Sequence, residues 1–189
     1  MYSDIKIFLD EKVRLYNQPG YIDSDPIQIP HQFTKKEDIE ISAFLTASIA
    51  WGQRQTIIKN ARQIMLLLDN SPYDFILNES TDTAHFSNFV HRTFNAIDLT
   101  FFVRALHHIY KNHGGLENVF NIGYQQDKTV FSALSYFRKV FLEADNHGRS
   151  SKHISDVTKN SAAKRLNMLL RWMVRDDNNG VDFGLWKQI

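Results

Sequence analysis

Residues 39–50, Ile-Glu-Ile-Ser-Ala-Phe-Leu-Thr-Ala-Ser-Ile-Ala, constrain this chain more than any other segment. Apolar or small residues occur there at nearly every helical angle, so a helix of this sequence has no wet face and must be surrounded by protein. The material to surround it is present: 14 Phe, 7 Tyr and 3 Trp supply large apolar areas. A chain of 189 residues buries roughly 70% of its unfolded surface, enough to fold without covalent staples. It has no cysteine. That excludes disulfides, thiolate metal sites and a cysteine nucleophile.

Around the central helix the pattern is helical throughout. Ser3 is expected to cap a first helix in which Ile5, Phe8, Leu9, Val13 and Tyr16 share one face. Pro19, Gly20, Pro26 and Pro30 make residues 17–33 a long loop. Thr34-Lys35-Lys36-Glu37 has capping-box spacing and starts the central helix, which Trp51-Gly52 ends. Residues 54–68 follow as an amphipathic helix, and Ser71-Pro72 opens a short one. Residues 78–96 are polar and ambiguous. Asp98 is expected to cap a helix that Gly114-Gly115 stops, with residues 116–122 adding a short turn. Residues 129–143 are helical with Phe131, Leu134, Phe137 and Phe141 inward. A polar loop over residues 145–159 contains His147. Ser161 then caps a helix over residues 162–175, Asn178-Asn179-Gly180 breaks the chain, and residues 181–186 form one short turn. No strand, hairpin or repeat is predicted. The expected fold is all-α, a bundle-like multi-helix arrangement forming a single domain over residues 1–189.

Charges precede any apolar run at the N-terminus, so no signal peptide is read. Apolar stretches are broken well short of the ~20 residues of a membrane span, which excludes a membrane partner and predicts a cytoplasmic protein. The formal net charge is +1 but unevenly spread. Residues 1–50 carry 5 Lys/Arg against 8 Asp/Glu, and residues 151–189 carry 7 against 4.

The predicted helix over residues 162–175 carries the most functional information. Lys164, Asn167, Met168, Arg171 and Arg175 fall in one stripe, Leu166, Leu169, Leu170 and Met173 lie opposite, and Trp172 sits at the border. Such a stripe suits a phosphate backbone. It equally suits a solvated face paired with acids such as Asp176 and Asp177. Trp51-Gly52-Gln53-Arg54-Gln55-Thr56 either probes a ligand or is a capped helix–helix turn. His91-Arg92-Thr93-Phe94-Asn95 reads as a hydrogen-bonded polar pocket beside Phe89. Of the 8 histidines, the adjacent His107 and His108 point about 100° apart on a helix, and His113 sits near a helix C-terminus. No metal site and no cofactor are expected. Neither a phosphate-cradling glycine loop nor a dinucleotide fingerprint occurs, and no local signature supports Ser-His-Asp catalysis.

Ala50-Trp51-Gly52-Gln53-Arg54, Ser71-Pro72-Tyr73-Asp74-Phe75, His91-Arg92-Thr93-Phe94-Asn95, the string from Lys164 to Arg175 and Gly180-Val181-Asp182-Phe183-Gly184-Leu185-Trp186 together resemble a bacterial family, the domain-of-unknown-function 2400 family. The layout of that family is in turn similar to helix-hairpin-helix DNA glycosylases. That resemblance implies DNA as partner and base excision as reaction, with Lys164 the nucleophile forming a Schiff base with the sugar. Arg165, Arg171, Arg175, Gln53, Arg54 and Trp51 would contact DNA, and Trp51 or Trp172 would stack on a flipped base. It further implies an aspartate on a Pro-Leu-Asp-x-His-like segment beyond Ile189, so the chain is expected to be a fragment or a truncation. The glycosylase hairpin is glycine-rich, whereas Lys159-Asn160-Ser161-Ala162-Ala163 contains no glycine. The rival reading is a non-catalytic helical module that binds nucleic acid or protein through the same face. A third has no nucleic acid at all, the stripe being a solvated face on a scaffold.

Overall fold

A computed structural model describes residues 2–78, 84–144 and 148–189. Eight α-helices are described: α1 (Tyr2–Tyr16), α2 (Lys36–Ser48), α3 (Arg54–Leu67), α4 (Pro72–Leu77), α5 (Ala96–Asn112), α6 (Leu116–Gln125), α7 (Val130–Leu142) and α8 (Lys164–Val174). The fold is all-α and bundle-like. No described helix is long and apolar enough to cross a membrane. Within the described residues the expectation of no hairpin is corrected: Val90–His91 (β1) pairs antiparallel with Phe94–Asn95 (β2). Arg92 takes φ +55° at its turn.

α2 is the axis of the core, and every residue from Asp38 to Ser48 is buried. Phe44 sits in an aromatic cage, its ring 5.7, 5.5 and 5.4 Å from those of Phe102, Phe137 and Phe141. α3, α4 and α8 pack on α2. α6 and α7 form an antiparallel pair pressed together at Gly123, where a β-carbon would meet Tyr136 Cβ at 2.7 Å and the Ala133 backbone at 2.8 Å. Only glycine permits that approach.

Several local expectations change, each for a physical reason. The helix start at residues 34–37 uses no capping box; Lys35 is the N-cap and no side chain bonds the first turn. Asp98 is not the cap of α5 but its third residue. Asn95 caps, accepting from Ile97 N, and Asp98 reaches back to Asn95 N at 3.0 Å. Ser161 lies two residues before the N-cap of α8, Ala163, which has φ +44°. α1 already includes Ser3, so that serine is not its cap. The apolar side chains Ile5, Phe8, Leu9 and Val13 of α1 are exposed, as is Phe131 on α7. Residues 17–33 hold three 3₁₀ turns, and Ile27 and Ile29 among them are fully buried. Residues 116–122 belong to a full helix, α6. Trp172 is buried rather than at a border. His147, on the expected polar loop, lies outside the described residues.

Residues 181–186 form a strap instead of a helical turn. Phe183 N donates to Trp172 O and Trp186 N to Met173 O, both at 2.8 Å, satisfying carbonyls that the end of α8 leaves open. Gly184 (φ +56°) lets the strap pass Asp176, whose Cβ would lie 2.6 Å from any added β-carbon. The strap delivers Trp186 to Glu40. Glu40 is 2% exposed; its Oε1 accepts from Trp186 Nε1 and its Oε2 from the Tyr110 hydroxyl, each at 2.7 Å. Lys36 Nζ lies 3.8 Å from Oε1 and bonds Glu117 as well.

Burial raises the pKa of Glu40 above the ordinary carboxylate value, while the Tyr110 and Trp186 hydrogen bonds oppose the rise. A group raised in the folded state is most favourable below its unfolded pKa, and that contribution is lost as pH rises through the folded pKa. Glu40→Ala is expected to cost about 3 kcal/mol, because two buried donors lose their acceptor and a void remains. Glu40→Gln keeps a partner for each group. Its cost in urea unfolding should be largest in acid and shrink as pH climbs through and above the carboxylate range; a pH-independent cost would contradict the assignment.

Candidate functional site

The C-terminal end of α2 and the N-terminal end of α8 meet at Trp51. α2 stops because Ser48 is followed by a non-helical Ile49, and Gly52 turns the chain at φ +102°. Trp51 is thereby left half-buried between three partners. The Arg165 guanidinium lies 4.6 Å from its ring, the His91 ring meets it edge-on at 5.0 Å, and the His153 ring stacks at 6.0 Å. Arg165 Nη1 also bonds Ser48 O, and Nη2 donates to His153 O at 3.2 Å. A guanidinium at the last carbonyls of α2 is favoured by the helix dipole. Burial holds the Arg165 pKa below its usual value. Arg165 is therefore a clasp between two helices.

His91 reads a specific tautomer. The Asn60 amide lies 2.7 Å from Nδ1 and Trp51 O lies 3.2 Å from Nε2. A carbonyl only accepts, so Nε2 carries the proton and Nδ1 accepts from Asn60. Burial lowers the His91 pKa, which keeps this neutral form. The polar pocket expected at residues 91–95 is thus present.

Beside it, Ser150 Oγ donates to Asp98 Oδ1 at 2.8 Å. His153 Nε2 and Arg149 Nη2 lie 3.3 and 3.2 Å from Asp98 Oδ2. Aspartate is in the middle: serine and histidine both address it. This order anchors residues 148–153 to the start of α5 and differs from a nucleophile–base–acid relay. His153 has its pKa lowered by burial, with Asp98 opposing.

The stripe on α8 divides. Lys164, the first residue of the helix, is exposed. Arg171 and Arg175 are engaged by Asp182, whose side chain is fully buried. Arg171 Nε lies 3.1 Å and Arg175 Nε 2.5 Å from Asp182 Oδ2. Arg175 also reaches Asp177 at 3.3 Å and donates to Asn17 Oδ1 at 2.8 Å. The acid partners foreseen as Asp176 and Asp177 are chiefly Asp182; Asp176 pairs with Lys187 instead. Asp182 lies by Arg175, and Lys164 stands eleven residues, roughly 16 Å of helix, away. Gln53 is the exposed N-cap residue of α3. Arg54 is exposed, 5.9 Å from the ring of Tyr21. Tyr21 donates to Asp25 Oδ2 at 2.6 Å. Its pKa is pushed up to about 12, by burial first and Asp25 next, with Arg54 and Arg171 both pulling it down. The structure brings together Trp51 with Arg165, and Arg54 with the ring of Tyr21. Among the described residues it does not place an acid beside Lys164.

Two grooves open elsewhere. One runs along α3, lined by Gln28, Gln55, Ile58, Arg62 and Leu66. The other is lined by Arg138, Lys139, Glu143 and Asp156. Neither is lined by Lys164 or Trp51. Metal-ligating geometry occurs at His108, His113 and Glu143, whose ligand atoms lie within 4.8 Å of one another. The partnerships of Asp182, Glu40, Asp98 and the His108–His113 pair are not legible in the sequence, since each is defined by partners far along the chain or across a turn.

Removing the buried acid exposes the division of the stripe. Asp182→Asn is expected to cost about 2 kcal/mol in thermal unfolding, because Arg175 loses a buried counter-charge while remaining partly hydrated. An unchanged melting temperature would mean that Asp177 and solvent suffice.

No curated protein and no solved structure matches the chain significantly. A family description does match, "Protein of unknown function (DUF2400)", over residues 25–189. That span contains Trp51, His91, Arg165, the α8 stripe and the strap, and the chain belongs to the DUF2400 family.

Proposed function

We propose that the protein binds the DNA backbone through the surface around the Trp51 turn. One observation carries this reading: Arg54 and Arg92 at the turn, and Lys152 and Lys164 next in the chain to residues that contact Trp51, are all exposed, and none has an ion-pair partner among the described residues. Arg92 approaches the turn itself, its Nη1 3.3 Å from where a β-carbon of Gly52 would stand. Lys152 adjoins His153 and Lys164 adjoins Arg165, both held against Trp51. Unpaired cations around a rigid turn suit phosphate, because binding releases counterions without first breaking internal salt bridges. Gln53 offers a hydrogen bond on the same turn. Arg165 and Trp51 hold the surface in shape, and Arg171 and Arg175 contribute less because Asp182 already holds them.

A second reading adds chemistry at Lys164. Its place as the first residue of α8 beside Arg165, exposed and unpaired, suits an amine that condenses with the aldehyde of an abasic sugar. Water leaves and a Schiff base forms. In this reading the protein is a base-excision glycosylase/lyase of helix-hairpin-helix layout.

Anisotropy titrations of a short duplex at several salt concentrations test the first reading. Lys164→Ala and Arg54→Ala should each weaken binding regardless of sequence and flatten the salt slope by about one contact. Arg171→Ala should change the slope less than either. Equal affinity and slope for wild type and the Lys164/Arg54 double variant would remove DNA from this face. Borohydride with abasic DNA tests the second: a trapped adduct that Lys164→Gln abolishes supports it, and binding without trapping leaves a non-catalytic module.

A further inference from the structure

We propose that His108, His113 and Glu143 form a binding site for a divalent transition-metal ion of the zinc class, clamping the C-terminal ends of α5 and α7. The two imidazoles come closest: His108 Nε2 lies 3.1 Å from His113 Nε2, with the rings inclined at 61°. Two ring nitrogens at that distance are bridged either by one N–H donating to the other's lone pair or by an ion that takes both lone pairs. Nitrogens bound tetrahedrally to one zinc ion lie about 3.4 Å apart, so the pair is already spaced for it. The carboxylate of Glu143 completes a group whose ligand atoms all lie within 4.8 Å of one another. Glu143 is exposed and ends its helix, so its side chain swings inward without disturbing the core.

The surroundings favour a cation. His113 is the C-cap of α5 and Glu143 the C-cap of α7, so the negative ends of two helix dipoles converge on the site. His113 is held by its own backbone: its N–H donates to Ile109 O at 2.9 Å, and its carbonyl accepts from Asn118 Nδ2 at 2.7 Å. Asn112 supplies an outer partner, its amide lying 3.0 Å from His108 Nδ1. When the amide oxygen faces the ring, Nδ1–H donates to it and Nε2 presents its lone pair, the arrangement that orients a ligating histidine. Two imidazoles and one carboxylate, without thiolate, suit Zn²⁺ and its neighbours rather than Ca²⁺ or Mg²⁺. Three protein ligands leave a fourth position for water. His107 takes no part, pointing about 100° away on the helix. The partner that spacing arguments overlook is His113, five residues on, carried back toward His108 where the helix ends.

The test uses the purified full chain stripped with a chelator, titrated with ZnCl₂ by calorimetry and with Co²⁺ by visible absorption. Wild type should take up one ion per chain, show tetrahedral cobalt bands, and melt at a higher temperature with zinc than with chelator. His113→Asn should abolish stoichiometric binding, Glu143→Gln should weaken it by at least about tenfold, and Asn112→Ala by about ten- to a hundredfold. Circular dichroism in chelator checks each fold. Should His113→Asn not fold, the exposed Glu143→Gln variant decides. Failure of wild type to bind one ion, or stoichiometric binding undiminished in the variants, overturns the site and leaves a hydrogen-bonded histidine pair.

Discussion

The structure depends first on a buried carboxylate. Glu40 stands on the most enclosed helix of the fold and has no water to solvate it, so its position is tolerable only where Tyr110 and Trp186 donate to it. Those two donors belong to α5 and to the strap after α8. Satisfying one polar group therefore fixes the relation of three elements that share no local sequence. Lys36, one turn earlier on α2, extends the arrangement to Glu117 on α6. Apolar packing around Phe44 supplies cohesion without direction; the carboxylate supplies direction.

This explains what was legible in the sequence. The central helix was legible because apolar residues at all angles admit one interpretation, and α3, α5 and α7 were legible through their stripes. Helix starts were less so. Thr34 and Ser161 look like caps, yet the chain enters α2 and α8 by other routes, because a cap is decided by backbone direction as well as residue type. The exposed faces of α1 and of Phe131 carry the apolar spacing of buried stripes without the burial. Periodicity reports which residues share a face, not whether anything covers it.

The functional face was half legible for a related reason. Lys164, Arg171 and Arg175 look equivalent on a helical wheel, but Asp182 distinguishes them. It does so from a strap whose course depends on Gly184 and Trp186. Conversely, His91, Arg92 and His153 reach the Trp51 turn only because a short two-stranded hairpin and a 3₁₀ segment fold against it. A charge stripe is a local property; which of its members remain available to a ligand is a tertiary one. Arg165 is the sharpest case, placed among DNA contacts by the resemblance and engaged in the structure with two backbone carbonyls and an indole.

The bond from Glu40 to Trp186 spans 146 residues of chain, and this bears on how the protein is made. At ribosomal rates, on the order of ten seconds separate the synthesis of its two ends. During that interval α2 has its carboxylate but lacks the indole that answers it. Elements made in between can already cover the apolar faces of the helix, but its carboxylate waits for the strap. A polar group made early in the core is thus among the last to be satisfied.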